Sequence, residues 1–183
     1  MRPMALVPVI LMGPSYLASI SNQYYYGAAH MFGENTRLGA DPASIEETFG
    51  RSDTYDVLVP EGDTATQQKL SHALHSIPEV TGILSYVDNA GASIPPEFVP
   101  GDTLGLLVSG GYTRMVLTVD ADTEGDGAFA LVEQVRATVQ QYYPDNYYLA
   151  GQGVSTYDLM DTITADMVKV NLLAIGAVFL ILL

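Results

Sequence analysis

One oily run limits what this chain can become. Leu172 to Leu183, "LLAIGAVFLILL", carries no polar side chain. Exposed on a soluble domain, such a run would invite association. Val170 to Leu183 makes about 21 Å of helix at roughly 1.5 Å per residue. That falls short of the roughly 30 Å hydrocarbon core, which takes about 20 residues to cross. The expectation is the first part of a transmembrane helix whose remainder lies beyond Leu183. The other reading is a core helix docked on the domain. Ala174, Gly176 and Ala177 suit close helix packing in lipid.

The opposite end repeats the pattern. Met4 to Ile20, "MALVPVILMGPSYLASI", has no charge; Arg2 precedes it and Ser21, Asn22 and Gln23 follow. Pro8, Gly13 and Pro14 interrupt it, which membrane helices tolerate. Tyr16, Tyr24, Tyr25 and Tyr26 suit the headgroup level. We read residues 1–21 as a partial transmembrane helix. The competing reading is a signal peptide with a cleavage site near Ala18 and Ser19, for which one positive charge and two prolines are a poor fit.

Between these ends lies enough chain for one domain with its own core. All 21 acids fall between Glu34 and Asp166, and the net charge is −14. No nucleic-acid partner is expected, because phosphate binding needs a basic face. With no cysteine, disulfides, thiol catalysis and zinc–thiolate sites are excluded as well.

Residues 22–50 read as a connecting arm with a short helix starting near Asp41-Pro42. "TYDVLVP" (54–60) is a strand. A helix follows, with Thr64 and Gln67 as a capping box and Leu70, Ala73, Leu74 and Ile77 as its apolar face. Pro78 ends it. "VTGILSYVD" (80–88) is a second strand. Asn89 to Tyr112 is a long loop, interrupted by a short helix after Asp102. Loops of that length are uncommon unless functional. Its leucines Leu104, Leu106 and Leu107 are expected to be exposed and to contact substrate or a partner domain. The competing reading is a flap over a sheet edge.

"TRMVLTVD" (113–120) alternates as a strand, with Met115, Leu117 and Val119 on one face. Asp126 can cap a helix over Gly127–Tyr143 whose stripe is Phe129, Val132, Val135 and Val139. "NYYLAG" (146–151) is the last strand. The order strand, helix, strand, strand, helix, strand predicts an α+β, ferredoxin-like βαββαβ unit over residues 51–153. From Val154 one continuous helix is expected to run to Leu183, wet at first (Asp158, Asp161, Asp166) and oily after Lys169, which can snorkel.

Chemistry is thinly signalled. Asp120, Asp122, Glu124 and Gly125 match the start of a calcium loop, but Leu131 stands where the bidentate Glu belongs. The sequence favours a polar turn feeding a helix N-terminus. His72 and His75 sit at i, i+3 with no third ligand in view, and read as a solvated helix face. "GQG" (151–153) is a lone G-x-G outside any dinucleotide context, read as a strand-end turn. No catalytic residue, metal ligand or cofactor site is expected, and nothing marks an enzyme.

The run "GQGVSTYDLMDTITADMVKVNLLAIGAVFLILL" resembles the junction between porter domain and membrane helix in RND-superfamily transporters of the MMPL branch. "YYYGAAHMFGENTRLGADPASIEETFGRSDTYDVLVP" and "RMVLTVDAD" resemble the second-half loop of the same family. The likeness covers nearly the whole chain, although no single motif in it is diagnostic. It implies a multi-pass cell-membrane transporter of two similar halves, with residues about 22–166 extracytoplasmic. It also implies proton-driven export of lipids or hydrophobic compounds. The partners implied are the lipid bilayer, a lipid or hydrophobic substrate and the companion half. The family's proton-relay residues would lie outside this stretch. The rival expectation is a membrane-anchored extracellular sensor or adhesion module.

Overall fold

The computed structural model describes residues 36–50, 52–91 and 100–182, with Pro14 and Phe98. The expected N-terminal membrane segment, apart from Pro14, lies outside the described residues. So does the first half of the connecting arm.

The chain is mixed α/β. Helix α1 (Arg37–Phe49) precedes strand β1 (Asp53–Pro60), helix α2 (Thr64–His75) and strand β2 (Val80–Ser85). A wide helical turn (Val87–Gly91) follows, then α3 (Gly101–Leu107), β3 (Val108–Ser109) and β4 (Tyr112–Val119). Helix α4 (Asp126–Tyr142), β5 (Tyr148–Gly151) and α5 (Gln152–Leu182) complete it.

The five strands form one antiparallel sheet in the order β2-β4-β1-β5, with the short β3 also on β4. β1 is antiparallel to β4 and β5, and β2 is antiparallel to β4. So β1 and β2, joined through α2, run parallel with β4 inserted between them.

Alternation decides which face of the sheet is covered. Tyr55, Val57 and Val59 of β1 and Met115, Leu117 and Val119 of β4 are fully buried. They share one pleat face with period 2. Leu70 and Leu74 of α2 and Val132, Val135 and Val139 of α4 pack on that face. The opposite face carries Asp56 and Arg114, whose guanidinium makes a two-pronged pair with the carboxylate at 2.8 and 2.9 Å. That bond raises the Arg114 pKa further.

Local chemistry moved several boundaries from where the sequence suggested. α1 begins at Arg37, so Pro42 lies within the helix rather than at its start. The expected capping box at Thr64 is not made. Asp63 is the N-cap of α2, and its carboxylate accepts the Thr66 N–H at 3.0 Å. That bond holds the Asp63 carboxyl below its usual range. Gln67 is instead buried, donating to the Pro60 carbonyl at 3.0 Å and to Thr113 Oγ1 at 3.1 Å. It joins the end of β1 to the start of β4.

β2 stops at Ser85 rather than at Asp88 because side chains capture the backbone there. The Asp88 carboxylate accepts Ser85 Oγ at 2.6 Å and Ser71 Oγ at 2.7 Å. Asn89 Oδ1 accepts the Ser85 N–H at 3.1 Å. These bonds bend the chain out of the sheet and pin it to α2. α4 is capped by Gly125 with no side-chain bond, so Asp126 is its first residue and not its cap.

The end of the long loop folds as a hairpin. Gly110 and Gly111 have φ of +62° and +82° between β3 and β4. Positive φ at both central residues is what a two-residue type I′ turn needs.

Prediction: Gln67→Ala leaves the half-buried Pro60 carbonyl and the buried Thr113 hydroxyl without the amide. Each buried group left unpaired costs about 1–3 kcal/mol. Thermal unfolding of the full chain in detergent should shift down by several degrees. An unchanged midpoint would show that the amide does not hold β1 to β4.

Candidate functional site

The chain enters the sheet at Asp53 and leaves it at Gly151, and these two ends lie side by side. Tyr55 of β1 faces Gly151 of β5 in register. The longest helix begins at the next residue, Gln152. Its first turn sits on the start of β1, and the contact between them is the most specific arrangement in the described residues.

Asp53 is nearly buried, at 9% exposure. Its Oδ1 accepts the Thr54 N–H at 2.8 Å, and its Oδ2 accepts the Gly153 N–H at 3.0 Å. The first N–H groups of a helix have no partner within it. A capping side chain normally supplies one from the preceding residue. Gly151, just before α5, has no side chain to do so, and Asp53 reaches across from β1 instead. Its negative charge also suits the positive end of the helix dipole.

The two glycines permit this closeness. A Cβ at Gly151 would stand 2.6 Å from the Thr54 carbonyl oxygen and 2.9 Å from Tyr55 Cδ1. A Cβ at Gly153 would stand 2.9 Å from Tyr55 Oη and 3.0 Å from Asp53 Oδ2. Any larger residue at either place would lift the helix off the strand.

Tyr55 completes the joint. It is fully buried, and among the described residues its hydroxyl has no hydrogen-bond partner. Burial first, and the Asp53 carboxylate second, push its phenol up to about 12. It keeps its proton across the physiological range.

Beyond the joint, α5 lies along α4 for about a turn. Val154 is in the core at 1% exposure. Tyr157 donates to Glu133 Oε1 at 2.8 Å and meets Phe129 edge-on at 5.7 Å. Arg136 pairs with Asp158 at 2.9 Å and lies over the Tyr157 ring at 5.5 Å. Phe129, expected in the core stripe of α4, is instead half-buried on its flank under Tyr157. Ala128 and Leu131 take their place in the core.

The helix then leaves the domain. From Val168 through Ile181 its large apolar side chains are exposed, Leu180 at 78% and Ile181 at 82%. Gln152–Ile181 is long and apolar enough to cross a membrane. The 31-residue helix is about 46 Å long at roughly 1.5 Å per residue. It is a single element, and it starts two residues before Val154. Asp166 and Lys169, one turn apart and paired at 3.1 Å, mark where the charged part ends.

The loop leucines do not form one exposed group. Leu107 is buried in the core at 7% exposure, and Leu104 packs against the core. Leu106 alone of the three is well exposed, at 68%. His72 and His75 are exposed on α2, and His75 Nδ1 lies 3.2 Å from the Ser71 carbonyl. Among the described residues no group of three His, Asp or Glu could hold a metal ion, the Asp120–Glu124 turn included. The "GQG" turn lies in the joint. Asp53 and Tyr55, its partners, carried no signal in the sequence: they stand about 100 residues away, inside an ordinary strand.

No known family model matches this chain, and no curated protein matches it.

Prediction: the unfolded phenol ionises near pH 10, and the folded Tyr55 near 12. The folded state therefore holds the proton more firmly between those values. Its contribution is complete below pH 10 and declines as pH rises toward 12, by about 1.4 kcal/mol per pH unit. Denaturant unfolding at pH 9.5 to 11.5 should show a steeper loss for the wild type than for Tyr55→Phe. Parallel losses would contradict the buried phenol.

Proposed function

We propose that this chain is a porter part of an RND-type membrane transporter of the MMPL branch, serving proton-driven export of lipids or hydrophobic compounds. The sheet domain is read as ferredoxin-like and extracytoplasmic. The strand order β2-β4-β1-β5, with α2 and α4 on one face, supports that reading. It is the order a split βαβ repeat gives.

One observation carries the proposal. The strand that opens the sheet and the helix that leaves it are bonded to each other through Asp53 and Gly153 at 3.0 Å. A domain inserted between two membrane helices needs its entry and exit at one pole, so that both reach the same bilayer. An unbroken helix from that pole then passes domain movement to the membrane. Its backbone bonds are satisfied internally in water and in lipid alike. A rocking transporter needs such a connection.

A second reading, a membrane-anchored extracellular sensor or adhesion module, draws on a different observation. Among the described residues one helix is long and apolar enough to span. One such helix suffices for an anchor. The coding sequence past Leu183 separates the two: several further apolar segments belong to a transporter, a stop or a signalling domain to an anchored module.

Prediction: Ala165 is exposed on α5, between the docked turn and the oily end. Ala165→Pro removes an i to i−4 hydrogen bond and kinks the helix at a cost of about 3 kcal/mol or more. In the complete protein, export should fall sharply while membrane insertion persists. Normal export by the variant would show that the rigid connection is unnecessary.

A further inference from the structure

A buried hydroxyl without a partner calls for an explanation, because such groups are few in native proteins. Tyr55 Oη is one, in a fully buried residue of the central sheet. Its position is specific. The spot where a Gly153 side chain would begin lies 2.9 Å from Tyr55 Oη and 3.0 Å from Asp53 Oδ2. So Oδ2 accepts the Gly153 N–H, and the Tyr55 O–H, at the same spot, has no acceptor among the described residues.

Gly151 and Gly153 bracket the start of α5 and carry no side chain to jam a change of angle. Farther along, the helix is held to α4 by the Arg136–Asp158 pair and the Tyr157–Glu133 bond, both exposed. Exposed pairs of this kind hold weakly. The firm attachment is at the base, where the spare donor is.

We infer that Asp53 is a two-position latch: it holds the Gly153 N–H when α5 is docked along α4, and takes the Tyr55 hydroxyl when the helix tilts away. The second bond offsets the loss of the first, so the helix has two defined orientations instead of swinging freely. The Thr54 N–H stays on Oδ1 in both positions, so the exchange concerns Oδ2 alone. The raised phenol pKa keeps the hydroxyl proton available for the exchange. The latch rests on reading α5 as the coupling element, and supplies that element with its two states.

The chain has no cysteine, so two spin labels can be placed without interference. Gln68 on α2 and Thr162 on α5 are exposed positions. The full chain carrying Gln68→Cys and Thr162→Cys, in lipid nanodiscs, is measured by pulsed electron resonance with and without Tyr55→Phe. The substitution deletes only the unpartnered hydroxyl and keeps the ring that fills the core. Wild type is expected to give two distances, and the Tyr55→Phe chain only the docked one. Equal distributions in the two chains would overturn the latch. A single distance in the wild type would overturn it too, whether or not the variant folds. Neither result bears on whether the complete protein exports a substrate, which the Ala165→Pro assay decides separately.

Discussion

Asp53 accepts the Gly153 N–H across 100 residues of chain, at 3.0 Å and out of solvent. The rest of the arrangement depends on that bond. β1 lies between β4 and β5 in the sheet: its first residue pairs with Val119 of β4, and from Tyr55 onward it is paired on both sides. A helix whose first turn is bonded to that residue inherits the orientation of the sheet. The 31 residues of α5 then project from one pole of the domain in a direction the core sets. Removing the carboxylate would leave the buried Gly153 N–H without a partner, which costs more than the net value of the bond itself.

Polar contacts elsewhere in the domain do similar work at smaller scale. Gln67 ties the end of β1 to the start of β4. Asp88 gathers Ser71 and Ser85 and ends β2. Each is a side chain whose type suggested another role, a capping partner in one case and a strand residue in the other. Apolar burial between the sheet and the two helices supplies the driving force, since buried area scales with stabilisation. The polar bonds choose among the packings that burial alone would allow.

Periodicity made much of the domain legible in the sequence. Met115, Leu117 and Val119 recur at every second residue between Arg114 and Asp120, and all three are fully buried as that pattern requires. Leu70, Leu74, Val132, Val135 and Val139 followed from helical spacing in the same way. The two-residue hairpin at Gly110 and Gly111 was legible from its glycine pair, although the reading as one long loop passed over it. The short helix after Asp102 was legible, but its Leu107, expected to be exposed, turns inward and is core. The joint was not legible. A single aspartate opening a strand and a G-x-G a hundred residues later are each commonplace. Only the strand order brings them together, and local spacing carries no trace of it.

Unbroken helix from the sheet into the bilayer is the central claim, and amide hydrogen exchange of the full chain in nanodiscs tests it most directly. Protection should run without a gap from Gly153 to Leu182, including the stretch from Leu159 to Lys169 where neither the domain nor the oily segment covers the backbone. In that stretch protection comes from the helix alone, and its local stability sets the exchange rate. Exchange there at the rate of an unstructured chain, between two protected segments, would mean a flexible linker and would contradict the account.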